Sequence, residues 1–228
     1  PFEAVKTNII GAENVINAAI DCGVSKVIAL SSDKAVNPIN MYGATKLCAD
    51  KMFISGNSYA GASKTSFSVV RYGNVIGSRG SVVEVFHQIK SSGVVPVTDK
   101  RMTRFWITLE QGVKFVLENL EEMRGGEIFI PKIPSMKIMN LVSAIAPDCK
   151  VKIIGIRPGE KLHEVLLTED DAAHTVELPN KYIIQPEFLP GKALPMKKFK
   201  SVQPMFRYSS DTNTQWLTVS DLRKLIDL

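Results

Sequence analysis

Two short apolar runs separated by one helical stretch constrain this chain more than any other feature. Lys26 to Ser31 (KVIALS) and Ser66 to Tyr72 (SFSVVRY) are apolar and β-branched, without the strict alternation of a half-exposed strand. Such runs are typical of parallel strands covered on both faces. Between them, after a polar loop from Ser32 to Met41 that contains Pro38, Tyr42 to Ser58 reads as a helix. Parallel neighbours cannot be joined by a tight turn and need a crossover of this kind. A chain that begins this way is committed to an α/β architecture.

The alternation continues in both directions. Residues 3 to 22 form an amphipathic pattern, with Val5, Ile9, Val15, Ala18 and Ala19 at helical spacing and Gly23 as its stop. After Tyr72 a glycine-punctuated loop, Gly73 to Gly80, leads to a helix near Val82 to Lys90. Further strands are expected at Val94 to Val97, Glu127 to Ile130 and Val151 to Ile156. Further helices are expected at Leu109 to Glu121, Met136 to Ile145, Lys161 to Leu167 and Val219 to Ile226. Thr108 with Gln111, and Thr218 with Asp221, have the spacing of reciprocal caps. From Thr168 to Thr214 periodicity is poor and proline frequent, which reads as an irregular, substrate-side lobe. The expected fold is a doubly wound, mostly parallel sheet of Rossmann type with a smaller C-terminal lobe.

Composition narrows the partners. The 228 residues carry 28 Lys and Arg against 23 Asp and Glu, a formal charge of +5 without a dense basic cluster, so no nucleic-acid partner is expected. No run approaches the ~18 to 20 uninterrupted apolar residues of a membrane helix, and no membrane partner is expected. Cys22, Cys48 and Cys149 are odd in number and far apart, neither a disulfide framework nor a zinc pattern, which favours a reducing cytoplasm. His87, His163 and His174 share no ligand spacing, and His87 and His163 fall in expected helices, so no metal is assigned.

The chemistry concentrates in Tyr42-Gly43-Ala44-Thr45-Lys46. Tyr and Lys four apart share one helix face. A phenol titrates near 10, too high for a base at neutral pH, and a nearby ammonium lowers it. The pair is thus a recipe for a base acting on a sugar hydroxyl. Alone it is more often ordinary surface-helix chemistry. Here the helix follows a strand whose carboxyl end carries Ser31-Ser32-Asp33-Lys34, where ligands of doubly wound sheets bind.

With Arg71-Tyr72-Gly73-Asn74-Val75 at the end of the next strand, this layout resembles the extended short-chain dehydrogenase/reductases. SSDKAVNPINMYGATK is similar to the active-site segment of the soluble, C5-inverting UDP-N-acetylglucosamine 4,6-dehydratases. PFEAVKTNIIGAENVINAA, RYGNVIGSRGSVVEVF, MTRFWIT, IRPGEKLHEVL and YSSDTNTQWLTVSDLRKLI carry the likeness along nearly the whole chain. That family makes the first intermediate of pseudaminic acid and related nonulosonate or capsular sugars. Its Gly-rich cofactor loop is not found, so the chain looks like a fragment that lacks about a hundred upstream residues. GSRG at 77 to 80 has the wrong spacing to replace it and reads as a turn before a helix. Residues 1–100 are then the later part of the nucleotide-binding Rossmann domain, and residues 101–228 its end together with a UDP-sugar lobe.

The resemblance implies dehydration of UDP-N-acetylglucosamine to a 4-keto-6-deoxy sugar, with NADP as cofactor (NAD being the other possibility) and a homo-oligomeric assembly. It makes Tyr42 the base at the C4 hydroxyl, with Lys46 lowering its pKa and binding the nicotinamide ribose. Asp33 is the acid at the C6 hydroxyl and Lys34 the base at C5, a role that needs a neutral amine favoured by burial and by Lys46. Relatives that retain the C5 configuration have Glu where Lys34 stands. Ser31 and Tyr72 are assigned to the cofactor. Ser32, Asn74, Arg104, Arg157 and Glu160 are assigned to the substrate, and Val97 and Thr98 to the uracil wall. The other readings are a retaining dehydratase, a C4 epimerase, or an inactive module that binds nucleotide sugars.

Overall fold

The computed structural model describes residues 1–77, 83, 86, 90–186 and 199–226. In chain order its elements are α1 (Phe2–Val5), α2 (Gly11–Asp21), β1 (Lys26–Ser32), α3 (Met41–Tyr59), β2 (Ser66–Tyr72), β3 (Asn74–Val75), β4 (Val94–Val97), β5 (Thr103–Ile107) and α4 (Leu109–Glu122). There follow β6 (Ile128–Pro131), β7 (Ser135–Lys137), α5 (Ile138–Ile145), β8 (Lys150–Ile153), β9 (Val165–Leu167), β10 (Thr175–Glu177), β11 (Lys181–Ile184), β12 (Lys200–Ser201) and α6 (Val219–Leu225). Contacts divide the chain into two compact units that interleave along the sequence. One comprises residues 1–72, 114–132 and 165–208, the other 73–113, 133–164 and 209–228.

The first unit is built on a six-stranded sheet in the order β1-β2-β6-β11-β10-β12. The two apolar runs pair in parallel along their whole length, Lys26 opposite Ser66 and Ser32 opposite Tyr72, with α3 as the crossover. β6 continues the parallel part from Val69 opposite Ile128. α1 passes through a π turn (Lys6–Ile10) into α2, which buries Ala12, Ile16 and Ala19. It stops where Gly23, at φ +65°, lets the Val24 amide turn back onto the Ala19 carbonyl. Val70, Phe115, Met123, Phe129, Val176 and Ile183 form the core between the sheet and α4.

The sheet is more mixed than the sequence suggests. β11 joins β6 antiparallel, with Ile183 opposite Phe129, and β10 and β12 continue antiparallel. These strands lie in the stretch expected to be irregular. They are two to four residues long, too short to show a period, and pairing defines them.

The second unit has a three-stranded sheet β3-β5-β7 and a parallel pair β4-β8. Val95, Val97, Met102, Trp106, Met136, Leu141, Ile145 and Leu222 form its core. Both expected caps are present. Thr108 and Gln111 exchange hydrogen bonds of 3.0 and 3.1 Å at the start of α4, and Thr218 and Asp221 close a capping box at α6.

Three expectations change here. β3 lies in a segment read as loop, β5 in one given no element, and β7 takes the first turn of the helix expected from Met136. The helix expected over 161–167 is instead a loop, carrying His163, followed by β9, in the first unit. Val165, Leu166 and Leu167 are all buried, and three consecutive buried residues suit a short strand covered on both faces rather than one face of a helix. The helix expected over 82–90, and His87 with it, falls largely outside the described residues.

Candidate active site

In the first unit the carboxyl end of β1 runs into a 3₁₀ turn, Asp33–Ala35. The Ser32 hydroxyl accepts from the Lys34 amide at 2.9 Å, which caps that turn. Asp33 is 1% exposed. Its Oδ1 accepts from Lys34 Nζ at 2.8 Å, and the Lys34 side chain remains 31% exposed. The sequence reading expected burial and Lys46 around Lys34; the structure shows it partly exposed and paired with Asp33.

α3 begins where the Asn40 side chain accepts from the Gly43 amide at 2.8 Å. This puts Tyr42 in the first turn, half exposed, with Lys46 one turn further along the same face. Lys46 Nζ donates to the Leu30 carbonyl at 2.6 Å, which ties the lysine to the carboxyl end of β1. Thr45, which donates to the Tyr42 carbonyl at 2.9 Å, receives Asn8 Nδ2 at 3.0 Å.

Beneath this face lies a buried network that the sequence reading did not single out. Asp50, one turn beyond Lys46, accepts from the Ser31 hydroxyl at 2.7 Å and meets Arg71 Nη2 at 3.4 Å. Arg71 also donates to the Leu166 carbonyl at 3.2 Å and lies 3.9 Å from Asp171. Burial pushes the Asp50 carboxyl up, while Arg71, Ser31 and Lys46 pull it back. An Asp inside a helix at the spacing that continues Tyr42 and Lys46 was the available signal. Ser31, expected at the cofactor, spends its proton on Asp50 and is 4% exposed, so it faces the network. Tyr72, opposite Ser32 in the sheet, has its phenol pushed up by burial.

A nicotinamide cofactor can be tested against these side chains. Lys46 keeps two N–H donors beyond the one given to Leu30, and Tyr42 presents a hydroxyl beside it on the same face. That donor set fits ribose hydroxyls at the carboxyl ends of parallel strands. The pyrophosphate has no glycine-rich cradle here, since no G-x-G-x-x-G occurs in the sequence.

The second unit contains a cavity of about 320 Å³. Its walls bring together Asn74, Val97, Thr98, Arg104, Arg157 and Glu160, all expected substrate residues, with Trp106 and Met102 among the apolar neighbours. Gly73 makes this possible: a Cβ there would lie 2.5 Å from Phe105 Cβ and 3.0 Å from its carbonyl oxygen, so only glycine lets β3 pass so near β5. Asn74 then places its Oδ1, buried and without a hydrogen-bond partner, at the wall. Arg157-Pro158-Gly159-Glu160 forms a tight turn, with Gly159 at φ +79° and the Glu160 amide on the Arg157 carbonyl at 3.0 Å.

Arg104 is held by groups of its own unit. It donates to the carbonyls of Thr103, Leu162 and Lys161 at 2.7, 3.0 and 2.9 Å, and it pairs with Glu160 at 3.8 Å and Glu164 at 3.6 Å. Its guanidinium clamps the loop that carries Glu160. Arg157, more exposed on the same cavity, is better disposed to meet an anion.

Residues 1–186 match the family model described as "Polysaccharide biosynthesis protein". The chain is 54% identical over 237 residues to a Campylobacter jejuni protein named UDP-N-acetylglucosamine 4,6-dehydratase (inverting), covering 100% of this chain and 71% of that one. It is 39% identical over 236 residues to a Rickettsia akari protein named UDP-glucose 4-epimerase, covering 99% and 68%. Among solved structures it resembles Pen from Bacillus thuringiensis, with a TM-score of 0.89 and 40% identity over 99% of this chain and 69% of that one. The parallel β1-β2-β6 core, the Tyr42 helix that crosses between its strands and these matches along the full chain agree: it belongs to the polysaccharide biosynthesis protein family.

Proposed function

We propose that this protein removes water from UDP-N-acetylglucosamine and gives a UDP-4-keto-6-deoxy-N-acetylhexosamine inverted at C5. The observation that carries the reading is the Asp33–Lys34 pair, 2.8 Å apart at the carboxyl end of β1 and followed by the Tyr42–Lys46 helix. The likeness to the Campylobacter jejuni protein supports it.

Tyr42 takes the C4 hydroxyl proton as that carbon is oxidised, and the Lys46 charge stabilises the phenolate. The ketone at C4 makes the C5 proton acidic. Elimination then needs an acid for the C6 hydroxyl and a base for C5. Asp33 and Lys34 share one proton between them, and the ion pair is one of its two placements. In the other, Asp33 is a neutral acid and Lys34 a neutral amine, reached by moving that proton across the hydrogen bond. From there Asp33 protonates the departing C6 hydroxyl and Lys34 receives the C5 proton, which restores the ion pair; as C6 is reduced, Tyr42 passes the proton it holds to the opposite face of C5 and returns to the phenolate. A nicotinamide bound against Tyr42 and Lys46 supplies the hydride acceptor at C4 and the donor at C6. NADP is the proposed form, with NAD as the other.

Ser32, whose hydroxyl caps the 33–35 turn, is assigned to the C4 oxygen. In the second unit, Asn74, Arg157 and Glu160 are assigned to the diphosphate and ribose, and Val97 and Thr98 to the uracil. Arg104 keeps a part in the substrate site by holding the Glu160 loop. The proposal includes a homo-oligomer in the cytoplasm that feeds nonulosonate, flagellin-glycan or capsular sugar synthesis. No helix among the described residues is long and apolar enough to cross a membrane.

The likeness to UDP-glucose 4-epimerases favours one second reading, epimerisation at C4. An epimerase needs Tyr42 and Lys46 but has no use for an acid and a base at C6 and C5. NMR of the product from UDP-N-acetylglucosamine in deuterated water separates the two. A 6-deoxy-4-keto sugar with deuterium at C5 and inverted configuration is expected. A C4 epimer with its C6 hydroxyl intact overturns the dehydratase reading.

A further inference from the structure

We propose that Gly43 is a positioning residue that sets the spacing between the Tyr42 helix and the Asp33–Lys34 pair, an inference that rests on the dehydratase reading above. A Cβ at position 43 would lie 2.3 Å from the Lys34 carbonyl oxygen, 3.2 Å from its carbonyl carbon and 3.0 Å from Pro38 Cβ. The tightest of these neighbours is backbone, which cannot swing aside as the end of a long side chain can. Residues 33–38 thus form a saddle over the first turn of α3, seated on the one residue of that turn that has no side chain.

The surrounding sequence builds the saddle from both sides. The Val36 amide bonds the Asp33 carbonyl at 3.3 Å. Ala35 and Val36, within the saddle, are buried. Asn37 has φ +45°, one of two non-glycine residues with positive φ among the described residues, and this reverses the chain ahead of Pro38. Asn40 then takes the Gly43 amide on its side chain, so loop and helix meet at the same residue. Gly43 itself needs no positive φ, and glycine is a poor choice in a helix on propensity alone. A residue that breaks the local rule and admits a close approach marks a place where spacing matters more than helix strength.

The consequence falls on catalysis. Lys34 is in direct backbone contact with Gly43, and Tyr42 is its neighbour in sequence. A methyl group at 43 forces the Lys34 carbonyl back by roughly 1 Å to reach an ordinary contact. Displacement of that size costs ~10²-fold where reacting groups must be aligned. The loss should fall on the Asp33–Lys34 steps, whereas UDP is held by residues of the second unit.

The test compares Gly43→Ala with wild type in the full-length protein. It measures deuterium uptake at C5 of the 4-keto sugar, net dehydration, UDP affinity by calorimetry and the thermal midpoint. Gly43→Ala should lose ~10²-fold in C5 exchange and dehydration, with UDP affinity close to wild type and a thermal midpoint that is lowered but stays above the assay temperature. If that variant does not fold, Asn40→Ala loosens the same contact by removing the helix cap, and should lower C5 exchange about tenfold with UDP affinity intact. A folded Gly43→Ala that exchanges C5 at the wild-type rate overturns the role of Gly43, as does Asn40→Ala at the wild-type rate where it stands in. A wild type that never dehydrates UDP-N-acetylglucosamine overturns the dehydratase reading, and this inference with it.

Discussion

Removing Arg71 should make stability depend on pH in a way that removing Asp50 does not. Both side chains are buried, Asp50 at 2% and Arg71 at 4% exposed, and their charges meet at 3.4 Å. Breaking a buried pair from one side typically costs about 3 to 5 kcal/mol. Asp50→Ala leaves Arg71 with the Leu166 carbonyl and Asp171, so the low end, about 3 kcal/mol, is expected. Arg71→Met leaves a carboxylate that has an escape. Its folded pKa already lies above the ordinary 3.8 because burial outweighs the neighbouring charges, and loss of Arg71 raises it further. In the window from 3.8 up to that raised value the folded state binds more protons than the unfolded state. Stability therefore falls as pH rises, by up to about 1.4 kcal/mol per pH unit, and levels off above the folded pKa. Asp50→Ala removes the titrating group, so its penalty should be flat against wild type wherever wild-type Asp50 is ionised. Urea unfolding of the full-length protein at several pH values between 4 and 8 reads both slopes. An Arg71→Met penalty that is constant across that range would refute the assignment of Asp50 as the buried partner. A double variant as unstable as the two losses added together would refute the pairing itself.

Tyr42→Phe removes only a hydroxyl and should leave the thermal midpoint near wild type while reducing turnover by at least ~10²-fold; wild-type turnover removes Tyr42 from the chemistry. Lys34→Ala should leave UDP affinity intact and nearly abolish deuterium uptake at C5, and uptake at the wild-type rate would mean that another group is the base. Lys34→Glu is not expected to switch the C5 configuration by itself, since the face of reprotonation depends on how the whole sugar is held; NMR of the product checks this. Gly73→Ala should destabilise by about 1 to 3 kcal/mol in urea unfolding, because its methyl group meets Phe105 at 2.5 Å, and a neutral result would mean that β3 shifts freely. Burial, aided by the Glu177 charge, pushes the Tyr182 phenol up to about 12, so its absorbance should titrate near that value and any stability it contributes should be lost between 10 and 12 as pH rises.

What was legible in the sequence follows from how far apart the determining residues lie. β1, α3 and β2 declared themselves because each carries its pattern within one short run, and the caps at Thr108 and Thr218 are similarly local. β5 did not, since Arg104 interrupts an otherwise apolar strand. Its charge is accommodated by carbonyls nearly sixty positions away, at Lys161 and Leu162, a compensation no window of sequence contains. The segment 161–167 was misread for the opposite reason: Leu162, Val165 and Leu166 have helical spacing, and only the burial of Leu167 as well shows a strand. The candidate site divides in the same way. Tyr42, Lys46, Asp33 and Lys34 form a contiguous signature, but the contact between Asp33 and Lys34 depends on which way the two side chains turn. The Asp50 network joins β1, α3, β2 and the 171 turn through Ser31, Asp50, Arg71 and Asp171, residues that touch only once the sheet has formed. Groups that do chemistry cluster in sequence because strand ends and helix starts adjoin. The groups that set their charge and spacing come from wherever the fold brings the chain back, and Gly43, which looks like a gap in a motif, belongs with them.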